Sequence, residues 1–201
     1  ASHYEEYDKE PPRLLIYDDA GVSLADIVTN KDLIERVDPE SFFRGLLSIF
    51  DLLVEMEKAG LVHNDIKPEN ITMDENYTFR LIDFGFAWRT FPDGFYDSGY
   101  DVWPPEMFLA GSITKMKTMG EYIKWAKSSK SALKWIGIYS LIPYKDLTDL
   151  ITKVFMMVKQ KADTFGLGYT LYALAYYMKT IPKFEKIISA MKYNSVIQNM
   201  Y

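Results

Sequence analysis

Thirteen positions separate Asn70 from Asp83, and the interval holds two β-prone runs around a polar tip. Ile71-Thr72-Met73 and Phe79-Arg80-Leu81-Ile82 flank Asp74-Glu75-Asn76-Tyr77-Thr78, the pattern of a hairpin with a five-residue loop. With Met73 roughly opposite Arg80, such a hairpin brings Asn70 beside Asp83 at its open mouth. The polar stretch His63-Asn64-Asp65-Ile66-Lys67-Pro68-Glu69-Asn70 leads into it, and Asp83-Phe84-Gly85 leads out. A lone Asp or Asn at a strand end is ordinarily a turn or cap residue. Four polar residues converging on one mouth call for a chemical reading instead.

Asp65 is short and acidic, on a loop kept non-helical by Pro68, so it can accept or orient the proton of an attacking hydroxyl. It is the candidate catalytic base. Lys67, two positions on, points to the same side of an extended loop and brings a point positive charge to a transferring phosphoryl group. Asn70 and Asp83 offer oxygen, the ligand type magnesium takes, and few protein oxygens are needed because the ion keeps water and phosphate oxygens. These are the residue types that phosphoryl transfer from a magnesium nucleotide requires, where the protein supplies positioning and charge neutralisation.

The stretch from His63 to Asn70 resembles the catalytic loop of eukaryotic-type protein kinases, H-R-D-L-x-x-x-N, and Asp83-Phe84-Gly85 matches their D-F-G. Pro104-Pro105-Glu106 resembles the A-P-E that closes the activation segment. Asp163-Thr164-Phe165-Gly166-Leu167-Gly168 resembles the start of the long buried helix of the large lobe, whose acid ties that helix to the catalytic-loop backbone. Lys67 resembles the serine/threonine branch. The resemblance implies ATP and Mg2+ as cofactors, a protein substrate, and His63 as a structural residue beneath Phe84. It also makes Leu14-Leu15-Ile16-Tyr17 the last small-lobe strand, with Tyr17 at the gatekeeper position and the backbone of Asp18, Asp19 and Ala20 facing the adenine edge. Thr72 falls under the adenine ring, where the family has an apolar residue. The hinge phrasing, from Ile16 to Leu24, resembles kinases of large DNA viruses.

The expected fold is α+β, mainly α: a kinase-like large lobe with a short catalytic hairpin and little of the small lobe. Residues 1–12 are a polar lead-in and 13–201 the lobe, with hinge 17–23, catalytic loop 63–70, activation segment 83–106 and a lysine-rich insert over 107–162. Ser23, with Asp26 three residues on, caps a short helix. Asp38 and Pro39 open a strong helix that Gly60 closes, and its apolar residues from 42 to 56 cover more than one face, which predicts a mostly buried element. Asp163 to Met178 reads as a buried helix ended by Pro182, and Phe184 to Tyr201 as one closing helix. Gly166-Leu167-Gly168 is no nucleotide loop, since it follows no strand and completes no G-x-G-x-x-G.

Composition sets the class. With 48% hydrophobic and 25% charged residues, the 201-residue chain supports one sizeable core. It has no cysteine and no apolar run long enough for a membrane span, so the expected setting is intracellular and cytoplasmic, or virion or host cell for a viral protein. The chain opens on Ala1, as a processed or truncated product does.

Asn64 stands where phosphorylation-switched kinases carry arginine, and it cannot hold a phosphate bidentately. The expected activity is therefore independent of a phosphorylated activation loop. Residues 107–162 hold ten lysines against three acids, so this part carries +7 and the remainder −12 of the net −5. Met116, Tyr122, Ile123, Trp125, Ala126, Leu133, Trp135 and Ile136 recur at roughly helical spacing, predicting amphipathic helices lying on the lobe. A lysine-rich face is usually just solvated; the sharper reading is a dock for an acidic partner, with nucleic acid the less favoured ligand. No glycine-rich lid or V-A-I-K lysine precedes the hinge. Two function classes follow: a serine/threonine protein kinase, or a kinase-derived scaffold working through its basic insert.

Overall fold

The computed structural model describes residues 19–90, 102–128 and 143–193. The chain enters through a two-residue strand, β1 (Val22–Ser23), and two short helices, α1 (Leu24–Thr29) and α2 (Lys31–Arg36). Ser23 caps α1 as its sequence predicts: its hydroxyl accepts the amide of Asp26 at 3.1 Å and donates to that residue's carboxylate at 2.7 Å. Asn30 then caps α2, accepting from the amides of Asp32 and Leu33. β1 lies at the end of the stretch expected to be the hinge, 17–23. The strand forms because it finds an edge, pairing antiparallel with the hairpin through Val22 opposite Met73 and Ser23 opposite Thr72.

Helix α3 (Pro39–Lys58) begins on the predicted cap, Asp38 accepting the Ser41 amide at 2.8 Å, and stops before Gly60, whose φ of +69° suits a residue without a Cβ. Its burial corrects the expectation. Phe42, Leu46, Ile49 and Met56 face the core, but Leu47, Phe50 and Val54 are exposed, because only one side of the helix meets other elements. The hairpin strands are β2 (Ile71–Met73) and β3 (Phe79–Leu81) around the predicted tip. Their register is one residue tighter than expected, Met73 facing Phe79 rather than Arg80. The cause is Asp74, whose Oδ1 accepts the amides of Asn76 and Thr78 while its own N–H donates to the Thr78 carbonyl, fixing Thr78 directly opposite.

Two helices lie in the next described stretch, α4 (Pro105–Ile113) and α5 (Met119–Ser128). Next comes α6 (Leu147–Met178), at 32 residues about 48 Å long. This helix starts sixteen residues before the predicted Asp163, at an Asp146 cap that accepts the Asp149 amide. Residues 147–162, within the expected lysine-rich insert, are therefore the N-terminal half of this helix. Leu150, Val154 and Val158 are fully buried there. Pro182 does not end α6 but opens α7 (Pro182–Tyr193), since proline suits the first helical turn.

The long helix divides the interior in two. Its C-terminal half, α1, α2, α3, the hairpin and α7 enclose one cluster, with Phe42 edge-on to Phe79 and Phe184. Its N-terminal half, α4, α5, Val62, Trp88 and Trp103 enclose the other. Among the described residues no helix is long and apolar enough to cross a membrane. The expected strand Leu14–Tyr17, the hinge residues Tyr17 and Asp18, the apolar residues Leu133, Trp135 and Ile136, and the end of the closing helix lie outside the described residues.

Candidate active site

The loop from His63 to Asn70 is fixed from below by α6. Asp163 Oδ2 accepts the amide of His63 and Oδ1 that of Asn64, both at 2.8 Å. One turn on, Gly166 lets the helix come so close to the loop that a Cβ there would lie 2.7 Å from the Ile66 carbonyl oxygen. Burial holds the Asp163 carboxyl above its ordinary pKa, against the two amides and His63, which pull it down. His63 is fully buried; its Nε2 lies 3.0 Å from the Ile82 carbonyl, and its ring packs against Phe84 with centroids 4.6 Å apart. Burial lowers its pKa despite Asp163, the Ile82 carbonyl, Asp65 and Asp83, so the imidazole is neutral at pH 7. A neutral, enclosed ring that bridges two loops is a structural part.

Above this base the polar residues meet. Asp65 is 1% exposed, and Lys67 Nζ lies 3.1 Å from each of its carboxylate oxygens. Asn70 Nδ2 donates to the Asp65 carbonyl at 2.9 Å and to its Oδ2 at 2.8 Å. The chain folds this way because Lys67 is extended, as its two-residue offset from Asp65 predicts, and Pro68 opens a single 3-10 turn that carries Asn70 back under Asp65. A buried carboxylate so partnered is held in a fixed direction.

The hairpin then delivers Asp83. The Ile82 amide donates to the Asn70 carbonyl at 3.0 Å, so Asp83 is the next residue past the mouth, beside Asn70 despite the shift in register. Asp83 is exposed, has φ +59°, and accepts the Gly85 amide on Oδ1 at 3.2 Å. The Asn70 amide nitrogen is turned onto Asp65, which leaves its oxygen as the atom available to a cation. An amide oxygen and an exposed carboxylate are hard donors of the kind magnesium takes. Among the described residues no three His, Cys, Asp or Glu side chains cluster as a metal site.

The positions expected to face a nucleotide fare differently. Asp19 is exposed and its carboxylate accepts the Gly21 amide at 2.9 Å, a local turn; Ala20 beside it is half-buried. Thr72 is 3% exposed, and its hydroxyl has no hydrogen-bond partner. Asn64, at φ +65°, is buried with its side-chain oxygen unpartnered.

Two supports escaped the sequence reading. Trp103 Nε1 donates to the Asn64 carbonyl at 2.7 Å, and Lys161 Nζ meets the Glu106 carboxylate at 2.8 Å, fastening α4 to α6. A tryptophan just before Pro104-Pro105 carries no periodic signal. Lys161 was legible only as one of ten insert lysines.

Comparison with known proteins gives a consistent result. Residues 4–103 match the protein kinase domain family. The chain is 37% identical over 67 residues to a maternal embryonic leucine zipper kinase of Danio rerio, covering 33% of this chain and 10% of that protein. It is 35% identical over 78 residues to a probable serine/threonine-protein kinase KIN1 homolog of Enterocytozoon bieneusi (39% and 12%). It is 32% identical over 106 residues to the serine/threonine-protein kinase MRCK gamma of Mus musculus (53% and 7%). The aligned stretches span only about a tenth of these relatives. No solved structure matches.

Proposed function

We propose, on the premise that this chain belongs to the eukaryotic-type protein kinases, that it forms the large lobe of a serine/threonine kinase transferring the terminal phosphoryl group of ATP to a protein hydroxyl. The observation that carries this reading is the enclosure of Asp65: a buried carboxylate held by Lys67 and Asn70 at the mouth where Asp83 emerges. Asp65 accepts or orients the proton of the attacking serine or threonine hydroxyl. Lys67, a quarter exposed, reaches from Asp65 toward the phosphoryl group and offsets its charge. Asn70 and Asp83 hold Mg2+ through oxygen. Bound MgATP supplies the phosphoryl group and a cation that neutralises the charge developing on it. Asp19 and Ala20 belong to the hinge that takes the base, and Thr72 lies beneath it.

Asn64 supports the further reading that activity needs no phosphorylated activation segment. Its side chain is enclosed and its carbonyl is held by Trp103, so the position offers no cation to a phosphate. One observation favours a second reading, a kinase-derived scaffold: the orphan hydroxyl of Thr72 is a poor floor for an apolar ring.

A titration with MgATP followed by thermal unfolding separates the two. A kinase lobe that binds nucleotide gains about 2.7 kcal/mol of stability at a hundredfold excess over Kd. Asp65→Asn abolishes phosphate transfer to serine- and threonine-containing proteins, by about 10²–10⁴-fold, and keeps the nucleotide-dependent shift. Absence of both shift and transfer in the wild-type chain overturns the kinase reading.

A further inference from the structure

The charge asymmetry of the chain has a definite place in the fold. Helix α5 and the turn before it carry Lys115, Lys117, Lys124 and Lys127, all exposed, against the single acid Glu121. That acid is turned back on the helix start, its Oε2 accepting the Lys117 amide at 2.7 Å. The opposite side of α5 is anchored: Tyr122 is 7% exposed within the second core, and Trp125 packs against the same cluster. Lys124 and Lys127, three apart, therefore share the outer side with Ile123, which is 43% exposed.

This face is tethered to the catalytic loop. Trp103 is bonded to the Asn64 carbonyl, and α4 starts two residues later. Nine helical residues and a five-residue connection limit the start of α5 to about 30 Å from the start of α4. An extended polypeptide covers that distance in about ten residues.

We propose that the outer face of α5 docks an acidic, partly apolar segment of the protein substrate, lying within roughly fifteen residues of the hydroxyl placed at Asp65. This rests on the kinase reading above and adds the substrate class. Charge selects the segment twice: the rest of the chain carries −12 and repels it, while the 107–162 region carries +7 and gathers it. Ile123 gives it an apolar foothold among the lysines. Nucleic acid fits less well. The 107–162 region has ten lysines and no arginine, the residue that grips phosphate bidentately, and the aromatics of α5 are packed inward, where no base can stack on them.

The test uses the full chain and a fluorescent peptide rich in Glu and Leu that lacks any hydroxyl residue, so binding is read without catalysis. Charge reversal at K115E/K117E/K124E/K127E weakens binding at least about tenfold, and raised salt weakens wild-type binding comparably. The control K31E/K186E, reversing two exposed lysines elsewhere, leaves binding unchanged. Circular dichroism melts establish that both variants fold. With an acidic protein substrate, the quadruple variant raises KM while kcat and the KM for MgATP stay constant. Equal peptide affinity in wild type and quadruple variant overturns the docking surface. So does single-stranded RNA that binds more tightly than the peptide and loses that binding in the same variant. A wild-type chain that binds the peptide but shows neither a MgATP-dependent shift nor phosphate transfer keeps the surface and removes the kinase reading, so the two failures are distinguishable.

Discussion

Asp163 Oδ1 accepts the backbone amide of Asn64 at 2.8 Å across ninety-nine positions of sequence, and this bond makes α6 the foundation of the loop from His63 to Asn70. Its twin to the His63 amide uses the other oxygen. Hydrogen bonds to a charged acceptor are worth about 1.5–3 kcal/mol each, and the carboxylate's burial offsets part of that, so Asp163→Ala lowers stability by about 2–4 kcal/mol. Asp163→Asn keeps one acceptor and points donors at the other amide, recovering less than half. Urea unfolding of the two variants, with the midpoint read against wild type, checks the order.

His63 makes the stability depend on pH near neutrality. Its pKa lies below 6.5 in the folded chain, because burial disfavours the imidazolium, and returns to about 6.5 on unfolding. The stabilising contribution of the neutral ring is thus complete above pH 6.5 and is lost as the pH falls through 6.5 toward the folded value, where the unfolded chain takes up the proton first. The only other histidine is His3. His63→Phe keeps an aromatic contact with Phe84, gives up the bond to Ile82, and flattens the fall in Tm between pH 7.5 and 5.5. A fall as steep as in wild type removes the assignment.

The geometry of the loop from His63 to Asn70 was legible in the sequence because its spacing encodes it: a two-residue offset sets Lys67 beside Asp65, and a hairpin of fixed length returns Asp83 to Asn70. A register error of one residue left that neighbourhood intact, since Ile82 rather than Asp83 makes the backbone bond. Caps at Ser23 and Asp38 were legible for the same reason, being local hydrogen bonds written in adjacent residues. What stayed hidden depends on tertiary cover. The buried face of α6 turns between its two halves, from Leu150, Val154 and Val158 to Gly166, Thr170 and Leu174, because different elements cover each end. The buried positions step by four from Leu150 to Met178, slightly more than one turn of about 3.6 residues, so the face drifts round the helix and a fixed stripe of that period does not describe it. The apolar residues of α3 misled in the opposite sense, since Leu47, Phe50 and Val54 look like core and are exposed.

Glu106 shows what the hidden contacts do. Its side chain is 7% exposed and pairs at 2.8 Å with Lys161, which is half in solvent. Lys161→Met leaves the carboxylate enclosed without its cation, and with the partial solvation of the lysine the loss is about 1–2 kcal/mol. Glu106→Gln placed on Lys161→Met removes the stranded charge and recovers most of it. A double-mutant cycle by thermal unfolding measures the coupling; additive losses refute it.

Gly166 gives the most direct link between packing and chemistry. A Cβ there meets the Ile66 carbonyl oxygen at 2.7 Å and the Ile66 side chain at 3.1 Å, and neither is a flexible tip that can swing away. Ala at 166 therefore pushes the helix and the loop apart by a few tenths of an ångström. The displaced residue is the one between Asp65 and Lys67, so the strain falls on the carboxylate that Lys67 and Asn70 hold. The overpacking costs about 1–3 kcal/mol. If the kinase reading holds, kcat falls by more than the fraction unfolded explains, while the affinity for MgATP, set at the hinge and the hairpin mouth, changes little. Gly168→Ala, two residues on and away from that contact, is the matched control: it shares the change in helix propensity and leaves the Ile66 carbonyl untouched. Equal kcat in the two variants at matched folded fraction means the loop tolerates the shift and the close approach serves stability alone.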